Sequence, residues 1–257
     1  MDLGLTGKVA LVLGSTSGLG RASAEALAAE GAHVVVVGRR QELVDELTGA
    51  LSAATGVVAD LTAPDAVDTV VSAARAVTGA VDVLVLNGGG PPPGPADAFT
   101  PETAQAAVDL LLTKHIALVG ELLPAMREAG WGRIIAIGSS GVQQPIPTLT
   151  ASNVGRAALA AYLKTLAGTV AADGVTVNMV LPGRVDTDRV AQLDQAAADR
   201  TGRTRDEART SAEATIPLGR YGRPAEFGAV VAFLAGRPAG YVTGEQVRVD
   251  GGLVAGY

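Results

Sequence analysis

The sequence contains no cysteine and only two histidines, His33 and His115. Disulfides, thiolate metal sites and thiol nucleophiles are therefore excluded, and a histidine cage lacks ligands, so no metal site is expected. Aromatic residues make up only 3% of the chain, too few for the stacking platform that single-stranded nucleic acid needs. Positive charge is short as well. The net charge is −6, the pI is about 5.0 and no basic stripe is present, so an electrostatic footprint for DNA or RNA is missing. The opening residues, MDLGLTGK, have neither the basic region nor the apolar stretch of a signal peptide. No apolar run reaches the ~18 residues of a membrane span. These absences lead to the expectation of a soluble, cytoplasmic protein whose partner is a small molecule, with no nucleic acid and no membrane.

What is present is a large apolar share, 48% of 257 residues, much of it Ala and Val. That suffices for a real core and excludes intrinsic disorder. Short β-branched runs alternate with Ala-rich stretches of helical pattern. The runs fall at Lys8–Gly14, Ala32–Gly38, Gly56–Asp60, Asp82–Leu86, Arg133–Gly138, Val175–Leu181 and Gln246–Asp250. Most are continuously apolar, as strands buried on both faces are. Helical patterns lie at about 18–30, 40–52, 64–78, 101–129, 150–172 and 224–236. This alternation predicts right-handed βαβ units: an α/β, doubly wound Rossmann-type fold with a parallel sheet and helices on both faces. No linker divides residues 1–257, so one domain is expected. The segment at about 184–222, rich in Asp, Arg and Thr, reads as an irregular insertion over the carboxyl ends of the strands, either a substrate lid or a solvated surface helix.

The first strand runs into Gly14-Ser15-Thr16-Ser17-Gly18-Leu19-Gly20, and a helix follows at once. Glycines let the backbone turn tightly and approach a pyrophosphate, and a helix N-terminus offers unpaired N–H groups with partial positive charge. Placed between strand and helix, the pattern favours a dinucleotide cradle over a structural turn. No Gly-Lys-Ser/Thr follows, which excludes a Walker loop. The centre of GSTSG is Thr16, which excludes a serine nucleophile elbow. The second strand ends Gly38-Arg39-Arg40. A carboxylate there would hold the ribose 2′-hydroxyl of NAD, whereas two guanidiniums suit a 2′-phosphate, so NADP(H) is expected in preference to NAD(H). Asp60 and Leu61 close the third strand, where an adenine edge could be held.

With these residues in view, the chain resembles the classical short-chain dehydrogenase/reductases, and among them the 3-oxoacyl-ACP reductases, over essentially its whole length. The resemblance rests on GSTSGLG at 14–20, Asp60-Leu61, Asn87-Gly88-Gly89, Ser139, Asn178, Pro182-Gly183 with Thr187, and Val249-Asp250-Gly251-Gly252. It implies seven strands in the order 3-2-1-4-5-6-7. It also implies that Gly14, Ser15, Thr16, Ser17, Gly18, Leu19 and Gly20 wrap the pyrophosphate and that Asp60 and Leu61 touch adenine. Asn87, Gly88 and Gly89 would run beside adenosine and ribose, and Pro182, Gly183, Val185 and Thr187 would border the nicotinamide. A homotetramer or homodimer, with the C-terminal segment in the interface, is implied too.

The departures concern the chemistry. The family's proton transfer rests on an Asn, a Ser and a Tyr-x-x-x-Lys. Ser139 falls at the Ser position, but Ser152 stands at the Tyr position, Arg156 at the Lys position and Leu111 at the Asn position. Leu13 and Leu86 replace residues that are often Thr and Asn. Tyr162 is ten residues beyond 152, about 15 Å along a helix, and does not compensate. Lys164 reads as a surface residue. Ser152, Ser139 and Arg156 are thus the candidate catalytic residues, with Arg156 also able to fork onto ribose hydroxyls. A serine hydroxyl is a far weaker acid than a phenol, and a guanidinium does not titrate.

Three outcomes follow from this arrangement. One is a reductase with a rewired donor, drawing on Lys114, His115 or a water held by Ser139, Ser152 and Asn153; here His115 reads as a packed or interface histidine and Lys114 as solvated. Another is a reduction needing no strong enzymic acid, such as that of an iminium or conjugated acceptor. The last is a non-catalytic dinucleotide-binding regulator or scaffold. Gly88–Pro95 and Gln143–Pro147 are expected to rim a pocket of amides and aliphatics without an assignable fixed charge.

Overall fold

The computed structural model describes residues 1–256. Seven strands form one sheet in the order β3-β2-β1-β4-β5-β6-β7, and every pairing is parallel. They are β1 (Val9–Val12), β2 (His33–Gly38), β3 (Ala54–Val58), β4 (Val83–Leu86), β5 (Gly132–Ile137), β6 (Val175–Pro182) and β7 (Gln246–Val249). The strand order reverses between β1 and β4, which opens a crevice at their carboxyl ends.

The two-residue period of a strand sorts the core into two layers. On one face Val9, Leu11, Val35, Val37, Leu84 and Leu86 pack beneath α3 (Ala66–Thr78), α5 (Lys114–Glu128) and α6 (Thr150–Val170). On the other, Ala10, Val12, Val34, Val36, Val83 and Val85 pack beneath α1 (Gly18–Ala29), α2 (Gln41–Ala50) and α9 (Pro224–Ala235). Both layers are built of buried aliphatics, which is why the strands read as unbroken apolar runs. Small residues bring α1 and α9 close: a Cβ on Gly228 would lie 2.3 Å from the Ala22 carbonyl oxygen.

Two regions differ from the sequence reading. The expected single helix at 101–129 is broken: α4 (Pro101–Val108) passes into a π-helical segment, Asp109–Thr113, before α5. The insertion at 184–222 is ordered rather than irregular, with α7 (Asp188–Thr201) and α8 (Arg205–Glu213). Each begins at a threonine cap. Thr187 Oγ1 accepts from the Val190 amide, and Thr204 forms a reciprocal capping box with Glu207. Among the described residues, no helix is long and apolar enough to cross a membrane.

Candidate active site

A cavity of about 1200 Å³ lies over the carboxyl ends of the strands. Its floor begins at the turn after β1. Gly14 and Gly18 hold φ of +55° and +54°, a region costly for any residue with a Cβ. A Cβ on Gly20 would lie 2.2 Å from the Gly14 oxygen and 2.7 Å from Asn87 Nδ2. Asn87 Nδ2 itself donates to the Leu13 and Gly14 carbonyls at 3.1 and 3.2 Å, binding the turn to the end of β4. Ser17 precedes α1 in extended conformation and makes no side-chain capping bond, and the first turn holds no acidic residue. Among the described residues no side chain caps the first amides of α1, and they suit an anion. Gly88 and Gly89 leave open space where a Cβ would stand.

Of the nucleotide-side residues named from sequence, Gly14, Thr16, Ser17, Gly18, Leu19, Gly20, Arg39, Arg40, Asp60, Leu61, Asn87, Gly88, Gly89, Pro182, Gly183, Val185 and Thr187 all line this cavity. Ser15 does not. Its amide donates to the Val37 carbonyl at 2.9 Å and its hydroxyl accepts from the Val37 amide at 2.9 Å, so it fastens the turn to β2 from beneath. Gly38 is confined by Thr16, whose Cγ2 would lie 2.4 Å from a Cβ there. No acidic side chain thus stands at the end of β2. Arg39 is exposed, with only a long 3.9 Å approach to Asp60. The Thr62 amide and hydroxyl, both donating to Oδ1, hold the Asp60 carboxyl below its usual range.

The other end of the cavity is made by β5, α6 and α7. Ser139 follows β5, and its Oγ accepts from the Gly141 amide at 3.0 Å. Ser152 and Arg156 lie one turn apart on α6, with Arg156 Nε donating to Ser152 Oγ at 3.3 Å. Arg156 Nη1 donates to the carbonyl of Ile137, the last residue of β5, at 2.6 Å. Desolvation, and then the nearby charge of Arg189, pushes the Arg156 guanidinium down to about 10. Ser139, Ser152 and Arg156 all line the cavity. Gly90 and Pro93 border it on one side, and Gln144 to Pro147 on the other, as the two rims expected.

Other candidates are spent elsewhere. Asn153 donates to the Ile146 carbonyl at 2.9 Å and accepts from the Ile146 amide at 3.3 Å, so it braces the rim rather than holding a water. His115 is buried, with Nδ1 on the Leu111 carbonyl at 2.8 Å, and burial lowers its pKa. Lys114 is not free in solvent, because Nζ donates to the Ala63 carbonyl at 2.9 Å. Leu111 is buried against Gly155, and Leu110 instead reaches the cavity. Asn178 ties β6 to the chain leading into β7, through Val242 and Glu245. Lys164 is exposed, as expected.

Fixed charge that the sequence left unassigned also reaches the pocket. Arg189 and Arg200 of α7 line the cavity, with Leu193, Ala196 and Ala197 between them. Their 189/193/196/197/200 spacing is the helical period, a signal present in the sequence but set among charged residues.

A match to the family model described as Enoyl-(Acyl carrier protein) reductase spans residues 14–254. The chain belongs to the short-chain dehydrogenase/reductase family. It is therefore one of that family's oxidoreductases. It is 34% identical over 248 residues to the 3-oxoacyl-[acyl-carrier-protein] reductase FabG of Escherichia coli, covering 96% of this chain and 97% of that one. An L-sorbose reductase from Gluconobacter frateurii, solved with NADPH and L-sorbose, superposes with a TM-score of 0.93 at 32% identity over 100% of both chains. YwfH, an NADPH-dependent reductase involved in bacilysin biosynthesis, superposes with a TM-score of 0.92 at 25% identity, over 97% of this chain and 99% of that one. In this short-chain dehydrogenase/reductase the glycine turn joins β1 to α1, Ser139 follows β5, and Ser152 and Arg156 lie on α6.

Proposed function

We propose that this protein is an NADP(H)-dependent reductase of a small carbonyl or imine-like substrate, working without the phenol acid usual in its family. The observation that carries this reading is the cavity itself. An uncapped helix N-terminus behind a glycine turn opens into the same space as Ser139, Ser152 and Arg156. The residues present fit a dinucleotide. Gly14 to Gly20 and the α1 amides would hold its pyrophosphate, Arg39 and Arg40 a 2′-phosphate, and Asp60 and Leu61 the adenine. Asn87 to Gly89 would flank the adenosine ribose, Arg156 the nicotinamide ribose, and Pro182, Gly183, Val185 and Thr187 the nicotinamide. Such a cofactor, when bound, supplies a hydride.

The chain's own part is to orient and to polarise. Ser152 takes the Tyr position and Arg156 the Lys position of the family pattern. Ser139 and Ser152 offer hydroxyls, and Arg156 offers a charge fixed against the Ile137 carbonyl. None of the three is an acid near neutral pH, so the proton completing the reduction comes from water. An iminium carbon or a conjugated acceptor, which needs little proton assistance, suits this site. Helices α7 and α8 serve as the lid. Arg184 and Tyr221 both donate to the buried Asp194 carboxylate at 2.8 Å, securing α7 to the strand ends.

Mixing with NADPH tests the first half by enhanced nicotinamide fluorescence, and loss of reduced-nicotinamide absorbance across a carbonyl and imine panel tests the second. Binding with turnover is expected. Absence of binding to either pyridine nucleotide overturns the proposal, and binding without turnover across the panel leaves the regulator or scaffold reading.

A further inference from the structure

Surface loops are ordinarily mobile, because few of their backbone groups find partners within the protein. The rim that leads into α6 is an exception. Ile146 to Leu149 form a turn in which the Leu149 amide donates to the Ile146 carbonyl at 3.0 Å. Pro147 takes its second position, where a fixed φ is favoured. Two neighbours hold this turn from outside. On one side Gly94, which follows Pro91, Pro92 and Pro93, donates its amide to the Thr148 carbonyl at 2.8 Å and accepts from the Thr150 amide at 3.2 Å. On the other, Asn153 grips Ile146 with both halves of its amide: Nδ2 donates to the carbonyl at 2.9 Å and Oδ1 accepts from the N–H at 3.3 Å. Asparagine offers donor and acceptor together, which an ionised aspartate does not. Oδ1 occupies a space that only glycine leaves, since a Cβ on Gly141 would lie 2.6 Å from it. Asn153 directly follows Ser152 on α6, so the turn and that hydroxyl share one support.

We infer that Asn153 determines substrate specificity by holding the Ile146–Leu149 turn as a fixed aliphatic wall beside Ser152, against which a compact alicyclic substrate body is aligned. This deepens the proposed reductase reading and rests on it. Pro145, Ile146, Pro147 and Leu149 line the cavity, and Asn153 does not. Asn153 is therefore a positioning residue that acts through the turn. Among the described residues no aromatic side chain lines the cavity, so shape and dispersion hold the substrate body and ring stacking does not. A wall fixed in place discriminates by shape, because a body either meets it or leaves a gap, and one methylene in an apolar pocket alters selection about 10–200-fold. A wall free to move adapts to each body and discriminates less.

The test uses the NADPH-saturated protein and three ketones of rising ring size, cyclopentanone, cyclohexanone and cyclooctanone, with rates followed by loss of reduced-nicotinamide absorbance. In the parent one ring is preferred. Asn153→Ala raises the KM of that ring about tenfold, within the range of one or two neutral hydrogen bonds, and narrows the spread of kcat/KM across the three. Its kcat stays within about threefold and its NADPH affinity within about twofold. Asn153→Asp keeps the volume but loses the donor, and it behaves as Asn153→Ala does. Behaviour like the parent makes Asn153 a space-filler and overturns the inference. So does a loss of kcat with the ring preference intact, which is what a general disturbance of α6 produces. Hydrogen exchange read by mass spectrometry needs no turnover: amides of residues 144–150 exchange about tenfold faster in both variants, and those of 14–20 do not. Unchanged exchange at the rim overturns the clasp. Ile146→Ala keeps both backbone bonds to Asn153, cuts back the wall itself and shifts the preference to a larger ring; it carries the test if neither Asn153 variant folds, and an unchanged preference overturns the wall. Should NADPH bind and none of the rings turn over, the reductase reading is what fails. Dissociation constants of the same rings, from the fluorescence of bound NADPH, then replace KM in the comparison, and no binding of any ring overturns the alicyclic assignment.

Discussion

The two ends of the cavity are built in different materials. At the nucleotide end the geometry belongs to the backbone. Gly14 and Gly18 sit at positive φ, Gly20 has no room for a methyl, and the donors are peptide amides. At the reaction end the geometry belongs to side chains, with Ser139, Ser152 and Arg156 each bonded to a neighbouring backbone or hydroxyl group. A backbone cradle can be lost by one substitution but scarcely altered by it, since the turn, the helix start and the strand spacing depend on each other. A side-chain constellation can be rewritten position by position while β5 and α6 stay in place. On the proposed reading, this contrast accounts for a glycine turn that follows the family pattern beside α6 side chains that depart from it.

The strongest way to sharpen the contrast is to write the family's acid back. The double substitution Ser152→Tyr and Arg156→Lys introduces a phenol beside an ammonium into a cavity with space for both. Positioned general acids contribute about 10²–10⁴-fold. Reduction of a simple cyclic ketone by NADPH should rise toward that range in the variant, followed by absorbance, while NADPH affinity changes little. No increase would show that the shape of the rims, and not the missing acid, limits turnover.

A smaller effect is expected at the nucleotide end. Arg39→Asp removes a donor for a 2′-phosphate and supplies an acceptor for a 2′-hydroxyl. Hydrogen bonds to charged groups contribute about 1.5–3 kcal/mol, so NADPH affinity should fall roughly 10–100-fold and NADH affinity should rise to exceed it. Fluorescence titration with the two nucleotides measures this. An unchanged preference would detach Arg39 from the 2′-phosphate and leave Arg40 as the remaining cation there.

The same contrast governs what could be read from the sequence. The inner strands were legible because they are buried on both faces and therefore mostly apolar; the edge strands β3 and β7 are less buried, and β3 begins at Ala54, two residues before the run at Gly56–Asp60. The glycine turn was legible because backbone demands leave a fixed imprint in residue type. Within it Ser15 faces β2 rather than the cavity, and a pattern does not tell which residue of a turn faces inward. The π-helical segment at Asp109–Thr113 was hidden, since Leu110, Leu111 and Leu112 are apolar on every side and satisfy an ordinary helical period. Helix α8 buries nothing, so it has no apolar period, although Thr204 and Glu207 mark its start. Arg189 was open to the sequence only through the 189/193/196/197/200 helical period, which its charged neighbours obscure.

The smallest predicted effect lies at the seam between the two ends. His115 is anchored on the Leu111 carbonyl and stands beside the Asn87 backbone, joining the π-helical segment to the end of β4. Burial, reinforced by the charge of Arg156, lowers its pKa below the usual 6.5, against the opposing pull of the two carbonyls. The unfolded chain takes up a proton here as pH falls through about 6.5, while the folded chain resists until its own lower pKa is reached. Across that window the unfolded state binds more protons, so stability is full above it, declines as pH falls and levels off below it. The variant His115→Gln lacks this titration. Its melting temperature should fall less than that of the parent between neutral and mildly acidic pH, with all carboxylate contributions common to both proteins. Parallel curves would mean that His115 protonates in the folded protein as readily as in water. The seam would then be open to solvent, and the separation between a rigid nucleotide end and a replaceable reaction end would lose its dry boundary.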